Sequence, residues 1–186
     1  MAALVQRYPG IALESRGDAF GTLARSIVGQ QISVKAADSV WTRFVVAVGA
    51  VTPDDVLRAG TEGLQGCGLS GRKIEYVLDL AAHFVGQRIL PDAWPTMSDE
   101  AVIAELTHIR GIGRWTAEMF LIFNLLRPDV FPIDDIGLQR AVALHYLDGE
   151  RPLRKDLVVL GERWRPWRTV ATWYLWRSLD PLPVVY

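Results

Sequence analysis

One cysteine, Cys67, stands among 186 residues. A lone thiol excludes an internal disulfide and a cysteine-ligated iron–sulfur cluster. Lysine is almost as scarce: Lys35, Lys73 and Lys155 are the only three among 20 basic side chains. Chemistry that runs through an amine nucleophile therefore has few candidates. The three histidines, His83, His108 and His145, are scattered without the spacing of metal ligands. No apolar run approaches the roughly 20 residues that span a bilayer. The start of the chain lacks a basic segment followed by a long apolar one, so a secretory leader is not expected.

The net charge of -1 gives no global attraction to a polyanion. Local segregation is another matter. Between Arg151 and Arg168 six basic residues (Arg151, Arg154, Lys155, Arg163, Arg165, Arg168) stand against Asp156 and Glu162. That stretch reads equally well as a solvated helix face or as a contact for an acidic partner.

Helical signals dominate the pattern and strand signals are scarce. Asp18 is placed to cap a helix over residues 19–30, and Ser33 to cap a longer one. In the latter, Val34, Ala37, Trp41, Phe44, Val45 and Val48 form an apolar stripe of helical period. Thr52-Pro53 opens a short helix to about Ala59, and glycines from Gly60 to Gly71 break the next stretch into turns. Ser70 starts a helix with Ile74, Val77, Leu78, Ala81 and Val85 on one side. Pro91 and Pro95 mark a loop, and Ser98 leads a helix that ends near Ile109. Further helices are expected up to Phe123, from Asp134 or Asp135, and over residues 166–179, ending at Pro181. The expected fold is all-α, a single domain of two lobes with short connections. One lobe covers about residues 33–107; the other joins 1–32 to 108–186.

Leu106-Thr107-His108-Ile109-Arg110-Gly111-Ile112-Gly113-Arg114-Trp115 is the most informative segment. Two glycines one residue apart allow a sharp turn with positive φ and a run of exposed N–H groups. A helix begins there, so its positive dipole end faces the same point and suits a DNA phosphate. Such a contact positions a protein without reading bases. Carbonyls of Thr107, Ile109 and Ile112 are candidate ligands for a bridging monovalent cation. Gly-x-Gly is also an ordinary turn between packed helices; the apolar Ile109 and Ile112 on either side favour a pinned hairpin.

Further on, Pro132-Ile133-Asp134-Asp135 precedes a helix. Either aspartate can serve as a plain cap. The pair also allows Asp134 to cap while Asp135 points into a cleft. A carboxylate there would stabilise an oxocarbenium-like centre and orient or deprotonate a water.

The hairpin, the Trp115-Thr116-Ala117 after it and the Asp-Asp helix resemble the helix-hairpin-helix DNA glycosylase superfamily, most closely its 3-methyladenine DNA glycosylase II branch. Ile27-Val28-Gly29-Gln30-Gln31-Ile32-Ser33 resembles a helix junction of that branch. Gly68-Leu69-Ser70 with Arg72-Lys73 resembles its central turn, and Trp164-Arg165-Pro166-Trp167-Arg168 its C-terminal motif. The likeness extends over about residues 20–179. It implies a monofunctional enzyme of base excision repair that flips alkylated purines from double-stranded DNA and hydrolyses the N-glycosidic bond, at a cleft between the lobes.

The resemblance also implies roles. Asp135 matches the catalytic aspartate. Trp115 stands where bifunctional relatives carry a Schiff-base lysine, so lyase chemistry is not expected. Trp176 matches an aromatic of the base pocket, with Met119 and Ile136 at positions held by tyrosines in the best-known bacterial member. Gly111 and Gly113 match the phosphate hairpin, with Arg110 (where proline is common) and Arg114 beside it. Gln30 and Gln31 fall where the family fills the gap left by the flipped base, Gln31 being the better wedge. That bacterial member has an extra β-rich N-terminal domain, and with fewer than twenty residues before the first expected helix no counterpart of it is expected. No cofactor and no membrane association are expected. A monomer is expected, cytoplasmic or nucleoid-associated, or nuclear in a eukaryote. The alternatives are a bifunctional glycosylase/lyase for oxidised bases, a non-catalytic DNA-binding module, and a purely structural helical protein.

Overall fold

The structure is a computed structural model describing residues 1–10 and 13–179. Its helices are α1 (Ala2–Arg7), α2 (Ala19–Gly29), α3 (Val34–Val48), α4 (Pro53–Leu64), α5 (Gly71–Val85), α6 (Asp99–Thr107), α7 (Arg114–Phe123), α8 (Ile136–Tyr146), α9 (Arg154–Glu162) and α10 (Arg168–Leu179), with a 3-10 helix over Pro91–Thr96. Among the described residues there is no strand, and no helix is long and apolar enough to cross a membrane. The expected stop at Pro181 lies outside those residues.

Polar side chains start most of these helices. Asp18, Ser33, Thr52, Ser70 and Ser98 accept the amides of Gly21, Ala36, Asp55, Lys73 and Ala101. Each cap satisfies an amide the helix cannot, and contributes about 1 kcal/mol. Four elements depart from the sequence pattern. Thr52 opens a helix as expected, but beyond the non-helical Gly60 (φ 59°, ψ -168°), where turns are expected, a second helical segment runs on to Leu64. The Pro91–Pro95 loop is a 3-10 turn. Helices α1 and α9 carry no polar cap signal and are not expected from the sequence. Helix α9 begins after Leu153, whose amide is instead held by the Asp156 carboxylate at 3.0 Å.

The chain divides into two compact units, 16–120 and 1–15 with 121–185. Segments 16–32 and 108–120, grouped by the sequence with the chain ends, fall in the first unit. The reason for 16–32 is that the apolar side of α2 packs on α3 and α5. In the same unit α4 packs on α3 and α5. Phe20, Phe84, Trp94 and Phe120 meet edge to face in series, at 5.3, 6.4 and 5.2 Å between ring centres. The Trp94 indole N–H donates to Glu105, which also accepts the Leu90 amide. In α3 the buried face is Val40, Phe44 and Val48; Val34, at the start of the expected stripe, is exposed.

The second unit has its own apolar centre, where Leu4 of α1, Leu138 and Val142 of α8, Leu157 of α9 and Leu175 of α10 are buried together. A polar clasp fastens its loops. Asp129 accepts from the Arg168 guanidinium at 2.7 and 2.9 Å and from the Arg168 amide at 3.3 Å, and lies 3.4 Å from Arg165. Thr169 donates to the Arg127 carbonyl and accepts the Val130 amide. The loop leading to Pro132-Ile133-Asp134-Asp135 is thus tied to the start of α10. Part of the basic stretch at residues 151–168 is spent internally in this way.

Burial alone would raise the Asp129 carboxyl's pKa, but Arg168 and Arg165 outweigh it and hold the group below its ordinary value. A carboxyl depressed on folding adds stability above its unfolded pKa of about 4, and that contribution is lost as pH falls through the lower folded value. Urea unfolding of Asp129→Asn is expected to show reduced stability at pH 7 and a smaller loss on acidification than wild type. Equal losses for the two proteins below pH 4 would contradict the clasp.

Candidate functional site

Asp135 lies immediately before α8 in extended conformation, and its Oδ1 accepts two N–H groups. One is the Leu138 amide at 2.6 Å, the other the Trp176 indole at 2.7 Å. Asp135 therefore caps the helix itself. The division of labour in which Asp134 caps is corrected: Asp134 is exposed and pairs with Arg154 at 2.6 Å. Being one residue nearer the helix, Asp135 is the one whose side chain reaches back to the third amide. The carboxylate is 8% exposed. Its orientation is set by a helix on one side and a ring on the other.

That ring is itself held. Trp176, on α10, is 7% exposed and stacks on Phe123 of α7, with centres 5.9 Å apart and planes at 16°. No sequence signal marks Phe123 for this role, although it ends an expected helix. Gly137 is likewise unmarked. A Cβ there would lie 3.1 Å from Asp135 Oδ1 and 3.2 Å from Trp176 Cδ1, so a larger residue would press on both the carboxylate and the indole. The preceding residue, Ile136, is 73% exposed.

The hairpin belongs to the unit 16–120, as do Trp115 and Met119, which are 39% and 8% exposed. Thr107 ends α6, and Ile109 and Ile112 are buried, pinning the turn between α6 and α7. The Ile112 amide donates to the Ile109 carbonyl at 3.1 Å. Only one of the two glycines has positive φ: Gly111, at 85°. A Cβ on it would collide with the Tyr76 ring. Gly113 is outside the left-handed region and a Cβ there would meet nothing within 4 Å, so the expectation of two glycines with positive φ is corrected. Gly113 has another consequence. Its carbonyl accepts the Ala117 amide at 3.0 Å, opening α7 on a residue with no side chain to cap it.

Two expected DNA contacts have partners within the protein. Gln30 Nε2 donates to the Gly111 carbonyl at 2.9 Å, so Gln30 supports the hairpin. Gln31 next to it is exposed, with a left-handed φ of 60°. Arg114 donates from Nη1 to Glu100 at 2.9 Å and pairs with Glu118 at 3.0 Å, which offsets its charge locally. The hydrogen bond with Glu100, above all, pushes its pKa up. The Arg110 side chain is mostly solvated, 3.8 Å from Glu75, and its amide donates to Asp79 at 2.8 Å. Proline, common at this position in the resembled family, has no N–H for that bond.

A glycine-seated hairpin between two helices, and a helix-capping carboxylate fixed by an indole, define a helix-hairpin-helix protein with a candidate acidic catalytic centre. Residues 24–166 match the family model described as HhH-GPD superfamily base excision DNA repair protein. The chain belongs to that superfamily. It is 33% identical over 183 residues to DNA-3-methyladenine glycosylase 1 of Schizosaccharomyces pombe, covering 96% of this chain and 80% of that one. The crystal structure of a DNA-3-methyladenine glycosidase from Bacillus halodurans is similar with a TM-score of 0.90 and 36% identity, over 96% of this chain and 83% of that one. The Schizosaccharomyces pombe 3-methyladenine DNA glycosylase in complex with abasic DNA aligns with a TM-score of 0.81 and 30% identity, over 98% and 91% of the two chains. The chain spans 66% of the length of a Bacillus subtilis relative and 37% of a Mycobacterium tuberculosis one.

Gly111→Ala combines a backbone strained for an L-residue with a clash against Tyr76. It is expected to lower unfolding free energy by about 2 kcal/mol. Gly113→Ala, with open space around it, should leave stability within about 0.5 kcal/mol of wild type. Chemical denaturation of the two variants checks the contrast, and equal losses would contradict it.

Proposed function

We propose that the chain is a monofunctional DNA glycosylase that releases alkylated, positively charged purines such as 3-methyladenine from double-stranded DNA in base excision repair. The observation that carries this is the Asp135 carboxylate, fixed at Oδ1 by the Leu138 amide and the Trp176 indole. A rigid negative charge suits a reaction whose positive charge develops at the sugar C1′. The C1′–N9 bond breaks, its electron pair neutralises the cationic base, and water oxygen adds to C1′. The water's proton passes to Asp135 or to solvent. A leaving group that is already cationic needs little help from an acid.

Trp115 supports the monofunctional assignment, since an indole cannot form the imine that a lyase needs. Its exposed ring offers a cationic base a cation–π surface, while Trp176 and Ile136 flank the carboxylate. Met119 is assigned to the pocket on the resemblance alone. Gly113 at the start of α7 gives a phosphate close access to the helix's amides, and Gln31 is the wedge into the base stack. The carbonyls of Thr107, Ile109 and Ile112 are the groups that would hold a monovalent cation, which would supply positive charge toward a phosphate. The named activities of the relatives support the same substrate class. The enzyme acts as a monomer wherever the chromosome lies, in bacterial cytoplasm or a eukaryotic nucleus.

Asp135→Asn tests the assignment cleanly, because asparagine is as good a helix cap as aspartate and keeps an oxygen for both donors. The variant is expected to bind methylated duplex as wild type does and to release bases at least 100-fold more slowly, a loss typical of one electrostatic group. Mass spectrometry of the freed bases measures it; undiminished release would refute the role. Borohydride treatment of wild type with substrate should trap no covalent adduct.

A further inference from the structure

Helix α5 presents three side chains one turn apart, Lys73, Tyr76 and Asp79, and each meets a different part of the proposed DNA-facing apparatus. Residues spaced by three share a helix face. Lys73 donates from Nζ to the Val28 and Gln30 carbonyls, both at 2.7 Å. These carbonyls lie at the negative end of α2, where an ammonium is favoured. Tyr76 forms the seat on which Gly111 rests. Asp79 accepts the Arg110 amide at 2.8 Å. Gln30 closes the circuit with its 2.9 Å bond to the Gly111 carbonyl.

Gln31 gives this arrangement its meaning. A left-handed φ in a residue other than glycine is uncommon and is kept only where neighbours hold it. Lys73 grips the Gln30 carbonyl, which belongs to the peptide leading directly into Gln31. The same lysine is one of only three in the chain, and it is spent on backbone oxygens.

We infer that the Lys73–Tyr76–Asp79 face of α5 is a positioning rail that sets the spacing between the Gln31 turn and the Gly111 hairpin. The wedge and the phosphate grip then engage DNA at one fixed separation. A fixed separation would favour a duplex opened at a single nucleotide, where the Gln31 side chain finds a gap, over an intact one. Lys73 acts through Gln30 and touches no phosphate. The rail rests on the proposed DNA-repair function.

The test uses the full chain with Lys73→Met, which keeps length and removes charge, Lys73→Arg, which can still span two carbonyls, and Gln30→Ala, which cuts the link at a half-buried position. Binding is measured to a duplex with a tetrahydrofuran abasic analogue and to its undamaged counterpart, across a salt series. Lys73→Met and Gln30→Ala are each expected to lose about tenfold in preference for the abasic duplex, and the double variant little more, since they lie on one path. Lys73→Arg should restore most of it. Affinity for undamaged DNA and its salt slope should stay as in wild type. A slope reduced by about one would make Lys73 a phosphate contact and overturn the inference. Additive losses, or equal losses on both duplexes, would also overturn it. Hydrogen exchange without DNA provides a second readout: the Arg110 and Ile112 amides should exchange faster in Lys73→Met, with α8 unchanged. Unchanged hairpin exchange sinks the rail. A wild type that does not prefer the abasic duplex sinks the proposed function instead, and the exchange result then decides the rail alone.

Discussion

Two donors converge on one oxygen, Asp135 Oδ1, and much of the unit containing residues 121–185 is organised around that convergence. The Leu138 amide comes from α8 and the indole N–H from α10, so the carboxylate joins the two helices as well as capping one. Everything that keeps the pair in place serves the same end. Phe123 supports the indole from one face, Gly137 leaves room for it, and Asp129 with Thr169 secures the start of α10. A charge held by so many partners would undergo little reorganisation in the proposed reaction, which is where electrostatic catalysis gains most.

In the proposed function this double duty couples stability to chemistry. An aspartate that only faced substrate could be replaced at no structural cost. Here the same atom completes a helix terminus, and removing it leaves an amide and an indole N–H without that acceptor in a buried place. A substitution that keeps the oxygens and removes the charge separates the two roles; truncation confounds them.

How far the fold and the site are legible in the sequence depends on the range of each interaction. Caps are local, and Asp18, Ser33, Thr52, Ser70 and Ser98 can be read because a cap acts on an amide three residues away. The hairpin is legible for the same reason. The contest between Asp134 and Asp135 is not, because both fit the pattern and only the path of the chain after Pro132 decides which carboxylate reaches Leu138. The bond that Gln30 makes within the protein is not legible. Its partner, the Gly111 carbonyl, is 81 residues away, and no local signal separates a glutamine that supports a turn from one that faces DNA. Helix α9 escapes because Leu153 offers no acceptor and the capping carboxylate lies inside the helix at Asp156. Gly137, Phe123 and Tyr76 become visible only when a distant side chain is seen against them.

Arginine at position 110, where the resemblance implies that proline is common, exchanges one source of rigidity for another. Proline would restrict the turn through its own ring; arginine relies on a bond from its amide to Asp79 across the fold. The two solutions draw on different partners: proline here would leave the Asp79 oxygen to water, and alanine at position 79 would leave the amide to water. Residues 79 and 110 should therefore covary among homologues, with an acidic or amide side chain at the first wherever the second is not an imino acid. Because this bond lies where water can reach, a single change would cost about 1 kcal/mol, so the two positions are coupled weakly.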